Sequence, residues 1–461
     1  MKTWIIRLRT LACLASCLLM SNCSRSLLDA KPDQALVIPK TLNDFGALLD
    51  NPNVFNVVPG LLNIAADDFL ITDAGWAALR TPLERNGYIW ANDVYEGQRI
   101  LDWNNPYEQI FYCNVVLEGL SSVDSTMNPA EFNRIKGTAL FSRGIAFFHL
   151  AQLFCEPFLS EAAGDNLGIP LRLTADINAP VHRASIAETY THIFADLTTA
   201  TTLLPASVPF KTRPTRGAAA AILARAYLSC ARYNEALQWA NEALEHSPPL
   251  LRYSALANSG PNPFPEMLPN GNDEALYYAY LRTYLFNSNS SRNVYVPQAT
   301  YESYKANDLR KTLFFSMSPN GTYWFSGSYI STSRLFTGPT VGEVYLVKAE
   351  CLARLGQAEE AISILNILLE NRFVENGFTP YVAADISDVT GLILQERRKE
   401  LIGRGLRWSD LRRLNAEPER EIVVSRTVNG QTHRLAPGEL RYVFPLPDEE
   451  VQLAGLPQNP R

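Results

Sequence analysis

Histidine is scarce in this 461-residue chain: His149, His182, His192, His246 and His433 are the only five. None stands in an HExxH pattern or pairs with a cysteine at ligand spacing, which excludes the common zinc arrangements. There is no GxSxG elbow, no phosphate-binding P-loop and no calcium loop, and Gly403-Arg404-Gly405 follows a helical pattern instead of a strand. No metal or cofactor is implied and no catalytic residue is assigned. Acids are common enough that a glycosidase carboxylate pair stays open. Beyond position 23 the cysteines are Cys113, Cys155, Cys230 and Cys351, far apart and each in an apolar helical pattern. That spacing reads as buried free thiols. A net charge of −6 and the lack of a basic stripe exclude nucleic acid as a partner and leave nothing to attract anionic lipid. Any membrane attachment then needs an anchor.

The first residues supply one. Lys2, Arg7 and Arg9 precede the apolar stretch Leu11–Met20, which is too short to span a bilayer. Leu19-Met20-Ser21-Asn22-Cys23 reads as a lipoprotein processing site. Residues 1–22 are then a signal peptide, and Cys23 is the lipidated first residue. The alternative, Leu14-Ala15-Ser16-Cys17, leaves a very short apolar region after Arg9. Removing three basic residues and no acids takes the net charge from −6 to −9. Residues 23–40 read as a tether, and 41–461 as one domain with insertions near 67–102 and 250–340.

Apolar periodicity makes most of that domain helical. Thr41–Asp50 and Pro106–Leu120 are amphipathic. Leu223, Ala224, Tyr227, Ala236, Ala240, Ala243 and Pro248 fall in the 34-residue tetratricopeptide frame, where small residues let two helices approach and Tyr227 fills the gap. Tyr345, Ala349, Leu352, Ala361, Leu365 and Leu368 fit the frame again. A third hairpin is split, Ile135–Phe154 pairing with Ile186–Leu204 across an inserted loop. The fold expected is mainly α, with tetratricopeptide-like hairpins, loop-rich insertions and short β-strands. Asn429-Gly430 predicts a tight hairpin turn near the C-terminus.

The densest motif is Glu396-Arg397-Arg398-Lys399-Glu400-Leu401 followed by Gly405-Leu406-Arg407-Trp408-Ser409-Asp410-Leu411-Arg412-Arg413. Together with Cys23, Leu27-Leu28-Asp29, the interrupted hairpins and the closing Gln458-Asn459-Pro460, it resembles the SusD/RagB family. In that family the motif is a scaffold element, so its charges are expected to pin Trp408 and its helix against the repeats. An aromatic and an acid usually stand where this chain has Gly403-Arg404. The resemblance implies a non-enzymatic, lipid-anchored nutrient receptor of the outer membrane, exposed at the cell surface. It would bind an oligo- or polysaccharide and pass it to a TonB-dependent, SusC-like barrel. A peptide-binding lipoprotein of RagB type and an all-α glycosidase are the competing readings.

Ligand residues are sought among the tryptophans. Trp4 falls in the leader, Trp103 precedes a helix at what resembles a core position, Trp239 sits in a repeat and Trp408 in the signature. Trp76, Trp90 and Trp324 remain, all in insertions. Flat rings cover the C–H face of a sugar while polar groups meet its hydroxyls. Arg80 accompanies Trp76, Tyr323 precedes Trp324, and Tyr295 has Arg292 and Asn293 beside it. The candidate ligand residues are therefore Trp76, Arg80, Trp90, Tyr295, Tyr323 and Trp324. The competing reading of each is a small satellite core under a long loop.

Overall fold

The computed structural model describes residues 39–256, 263–266, 271–288, 292–330 and 332–461. The leader, Cys23 and nearly all of the tether lie outside the described residues. Helix α1 (Leu42–Leu49) starts on a reciprocal cap between Thr41 and Asp44. The second long helix, α2 (Leu101–Gly119), begins five residues before Pro106. A proline within the first turns removes only one intrahelical bond, so reading it as the helix start placed the boundary late.

Helix α3 (Pro129–Phe154) and α4 (Ile186–Leu203) form the split hairpin. Asn128 caps α3, with Pro129 in its first turn, and a Ser185–Glu188 capping box opens α4. Close approach is possible because Gly137 faces Leu203 and Leu204, and Gly144 faces Leu197. The loop between them is held by β3 (Leu167–Pro170) and β4 (Arg183–Ser185).

The first tetratricopeptide-like pair is α5 (Arg216–Ser229) and α6 (Tyr233–Glu245), and the second is α7 (Val341–Arg354) and α8 (Ala358–Glu370). Ala218 to Ala221, Ala224, Ala236, Ala240 and Ala243 are buried, as the frame requires. Tyr227 also packs outside its own hairpin. It stacks on Phe194 of α4, ring centroids 4.0 Å apart, and so joins the split hairpin to the repeat. Helix α7 packs on both α6 and α9 (Val389–Glu400), and α10 (Arg407–Leu414) carries the signature tryptophan. Cys113, Cys155, Cys230 and Cys351 are free and buried. No described helix is long and apolar enough to cross a membrane.

The β-structure consists of two-stranded pieces. The first of them, β1 (Val57–Val58), pairs with β5 (Tyr280–Leu281), and β2 (Leu70–Ile71) with β6 (Val294–Tyr295). Strand β7 (Phe315–Met317) pairs with β8 (Tyr323–Phe325), and β9 (Val424–Val428) with β10 (Gln431–Leu435). The last turn is Asn429-Gly430 with φ of 49° and 76°, the left-handed pair that a two-residue hairpin demands. The 67–102 insertion is less irregular than its sequence implies. Asp73–Ala77 and Pro82–Tyr88 are short helices started by Thr72 and Thr81 caps.

Candidate functional site

The two insertions meet in one small ribbon. Strand β6 is bonded to β2 on one side, and on the other a bridge joins Val296 to Tyr323, whose carbonyl accepts the Val296 N–H at 2.7 Å. Because β8 also pairs with β7, the spatial order is β2, β6, β8, β7. Alternation of side chains sends Val294 and Val296 into the core and Tyr295 to the opposite face. Phe325 is likewise buried, which turns its neighbour Trp324 outward.

Helix Asp73–Ala77 follows β2 directly and lies against the same ribbon. Thr72 N–H donates to the Asn293 carbonyl at 3.0 Å, and the Thr72 hydroxyl accepts from Gly75 N–H. A Cβ on Gly75 would stand 2.5 Å from the Asn293 Cβ, so only glycine permits this contact. Trp76 is half-buried, its indole N–H donating to the Arg85 carbonyl at 3.2 Å. Arg80 is exposed and forms no ion pair among the described residues. The Asp73 carboxylate receives the Asn429 N–H at 2.8 Å, which docks the β9–β10 turn at the margin of the ribbon.

Three features give the ribbon its chemistry. Tyr323 stacks on Tyr301, centroids 3.5 Å apart and planes within 12°, and the Lys311 ammonium sits 4.7 Å from the Tyr301 ring centre. The exposed Arg292 guanidinium lies 4.6 Å from the Trp324 ring. The Trp324 indole nitrogen is buried without a partner among the described residues, so a face and an edge of the ring, not its N–H, are what the surface offers. Burial, with the Tyr323 hydroxyl next to it, pushes the Tyr301 hydroxyl up to about 12. Burial, helped by Asp73, also raises Tyr295. Both phenols therefore stay neutral hydrogen-bonding groups at ordinary pH. The arrangement has rings for C–H faces and Arg292, Arg80 and Lys311 for hydroxyl or acidic groups.

Trp76, Tyr295, Tyr323 and Trp324 thus come from two insertions to one ribbon, with Arg80 three residues past its flanking helix. Trp90 does not join them and is withdrawn as a ligand residue. It is fully buried, its indole donating to the Ala65 carbonyl at 3.0 Å, and the buried Arg426 of β9 lies over its ring at 4.4 Å. Arg426 also stacks on Tyr88 and donates to the Ile64, Tyr88 and Ala66 carbonyls. Trp90 is part of the clamp that holds the C-terminal hairpin to the first insertion. Sequence reasoning missed Tyr301 and Lys311. The one local cue was Pro297 opening the short helix Gln298–Glu302, which carries Tyr301 up to the ribbon edge.

The signature motif supports the ribbon from below. Arg407 and Arg398 both hold Asp67, at 2.7 and 3.0 Å, three residues before β2. Burial works against that carboxylate, but the two guanidinium groups keep it well below the usual range. Arg397 meets Asp410 at 2.9 Å, and Arg413 meets Glu350 of α7 at 2.5 Å. Trp408 is fully buried against Tyr442 and Phe444. At the atypical Gly403-Arg404, both flanking glycines (Gly403 and Gly405) adopt positive φ, and Arg404 stacks on Tyr329 at 3.7 Å.

A helical-repeat scaffold that displays rings on inserted loops, and whose charged signature is spent on packing, is the architecture of a binding protein. Comparison with known proteins makes the class specific. A family model described as starch-binding associating with outer membrane matches residues 27–228, and the SusD family model matches residues 269–461. The chain belongs to the SusD family. A SusD superfamily protein of Bacteroides thetaiotaomicron superposes with a TM-score of 0.74 at 21% identity, covering 91% of this chain and 100% of that one. A putative sugar binding protein of Bacteroides vulgatus gives 0.73 at 21%, covering 92% and 99%. SusD-like protein P38 of Formosa agariphila is 39% identical over 95 residues, 20% of this chain and only 18% of that protein.

Proposed function

We propose that this protein captures an oligo- or polysaccharide on the β2–β6–β8–β7 ribbon at the outer membrane and passes it to a TonB-dependent barrel without making or breaking bonds. The observation that carries this reading is that Tyr295 of β6 and Trp324 of β8 stand on the outward face of one ribbon, with Arg292 over the Trp324 ring and the helix that carries Trp76 packed at the ribbon's β2 side. The likeness of residues 27–228 to a starch-binding family associated with the outer membrane, and of the fold to the Bacteroides vulgatus sugar binding protein, supports a sugar and an outer-membrane setting. Lipidation at Cys23 would place the scaffold there, and three acyl chains hold far more firmly than one.

Calorimetric titration of the purified protein with a panel of glycans and peptides tests this. One glycan class should bind, and Trp324→Ala should weaken it by about 1–3 kcal/mol, the scale of a lost ring contact in a polar site. Trp90→Phe should lower the melting temperature while sparing affinity in the folded fraction. Binding of peptides alone, or release of shortened glycan products, would overturn the reading. Co-purification with a barrel protein in mild detergent is the corresponding test of the partner.

A further inference from the structure

Away from the ribbon, Trp103, Tyr107 and Phe111 recur every fourth residue along α2 and so share one face of the helix. With Pro170, Arg172 and Glu450 they line a cavity of about 210 Å³ that includes none of the ribbon residues. Trp103 is fully buried, packed on Tyr107 (centroids 4.8 Å apart at 45°) and on Phe154, and backs the open rings of Tyr107 and of Phe111, which is 37% exposed at the mouth.

The polar groups here are almost all occupied. Tyr107 donates its hydroxyl to the Pro170 carbonyl at 2.8 Å. The Asn114 amide donates to the Arg172 and Thr174 carbonyls, and its oxygen accepts from Arg143. The Arg172 guanidinium donates to the Asp176 and Ala179 carbonyls. What stays open is the Thr174 hydroxyl and the remaining lone pairs of Glu450, a half-buried carboxylate that accepts the Trp103 indole N–H and has no ion pair among the described residues. Burial raises its pKa and Glu449 beside it adds to the rise, while the Trp103 indole bond and the Arg172 charge across the wall draw it back. A polyol needs several free donors and acceptors, which this wall lacks. A compact cation with an apolar body needs only rings and one negative charge.

We propose that this cavity is an aromatic cage for a small alkylammonium group, with Glu450 as counter-charge. The space of about 210 Å³ is enough for a compact group the size of a choline head.

Titrate the whole protein with choline and with its neutral isostere 3,3-dimethylbutan-1-ol, following tryptophan fluorescence and calorimetric heat. Choline should bind in the millimolar range, about 1–10 mM, as expected for a single small cage. The isostere should bind at least about tenfold more weakly, and Glu450→Gln should cost choline a similar factor. Phe111→Ala, at an exposed position, should weaken choline while leaving the ribbon ligand's affinity unchanged. A phosphocholine arm identifies the source: tighter binding than choline assigns a lipid headgroup meeting Arg172, and equal or weaker binding assigns a free amine. Equal affinity for choline and the isostere, no effect of Glu450→Gln, or no binding at about 20 mM choline would overturn the proposal.

Discussion

Adjacent residues in this fold meet opposite electrostatic fates, and Asp67 and Asp68 are the clearest pair. Asp67 is held by two guanidinium groups and stays charged. Asp68 is fully buried, with only a 3.4 Å bond from the Gly403 N–H and Arg398 no nearer than 3.9 Å. Burial outweighs the Arg398 attraction, Asp67 adds repulsion, and the Asp68 carboxyl is pushed up to about 6 from an ordinary 3.8. A raised acid favours the fold only while it is protonated. Its contribution is complete below about pH 4 and is lost as pH rises through about 6. Holding an ionised carboxylate at that site costs about 3 kcal/mol. Asp68→Asn should therefore stabilise the protein by about 1–3 kcal/mol at pH 8 and change little at pH 4. Urea melts at the two pH values check this, and an equal effect at both would refute the assignment. Trp90 gives the complementary lesson. From sequence it is an unexplained tryptophan in an insertion, because the residue that buries it, Arg426, is more than 300 positions away, as its bond to Tyr88 records.

At the scale of elements, the ribbon depends on one close approach, Gly75 against Asn293. A methyl group there would overlap the Asn293 side chain and the Ile71 side chain at 2.8 Å. Gly75→Ala should cost about 1–3 kcal/mol, the usual penalty for overpacking. The Thr72 amide, bonded to Asn293, should lose hydrogen-exchange protection, and affinity for the ribbon ligand should fall with it. Unchanged Thr72 protection would show that the helix and ribbon are not coupled. The long elements around this joint were readable because their information is local. Alanine spacing located α5 and α6, apolar periodicity located α1 and α4, and Asn429-Gly430 specified its own turn. The ribbon was not readable as a unit. Its strands are two or three residues long, too short for alternation to register, and their pairing joins position 70 to 295 and 296 to 323. The sequence therefore named Trp76, Tyr295, Tyr323 and Trp324 separately, with no means of showing that the segments that carry them meet in one ribbon.

Across the whole molecule, the segments that leave and rejoin the repeats are tied by a buried charge network. Arg310, with no exposed side-chain area, contacts Asp308 at 2.7 Å, Glu396 at 2.6 Å and Glu400 at 3.3 Å. Arg372, equally buried, bridges Glu400 at 2.8 Å and Glu274 at 2.5 Å. Four stretches of chain thus converge: the 274 and 308 loops, the end of α8 and the signature helix α9. The sequence reads the signature's acids as scaffold charges, and Glu396 and Glu400 each face an arginine that no solvent reaches. Burial raises Glu274, whereas the two arginines bring Glu400 below its ordinary range despite burial. The Arg420–Asp388 pair is a useful contrast, bidentate with contacts of 2.6 and 2.7 Å but with the Asp388 side chain 51% exposed. Geometry alone would rank the two alike. Solvent decides otherwise, because an exposed pair contributes about 0–1 kcal/mol while removing one partner of a buried cluster costs about 3–5 kcal/mol. Arg310→Met leaves three carboxylates without their common cation and should lower the urea midpoint by the larger amount or abolish folding. Arg420→Ala should stay within about 1 kcal/mol of the parent. If Arg310→Met folds, adding Glu396→Gln should recover part of the loss, since it removes one of the stranded charges. Equal midpoints for the two arginine variants, or no recovery in the double variant, would show that the network does not hold the insertions to the repeats.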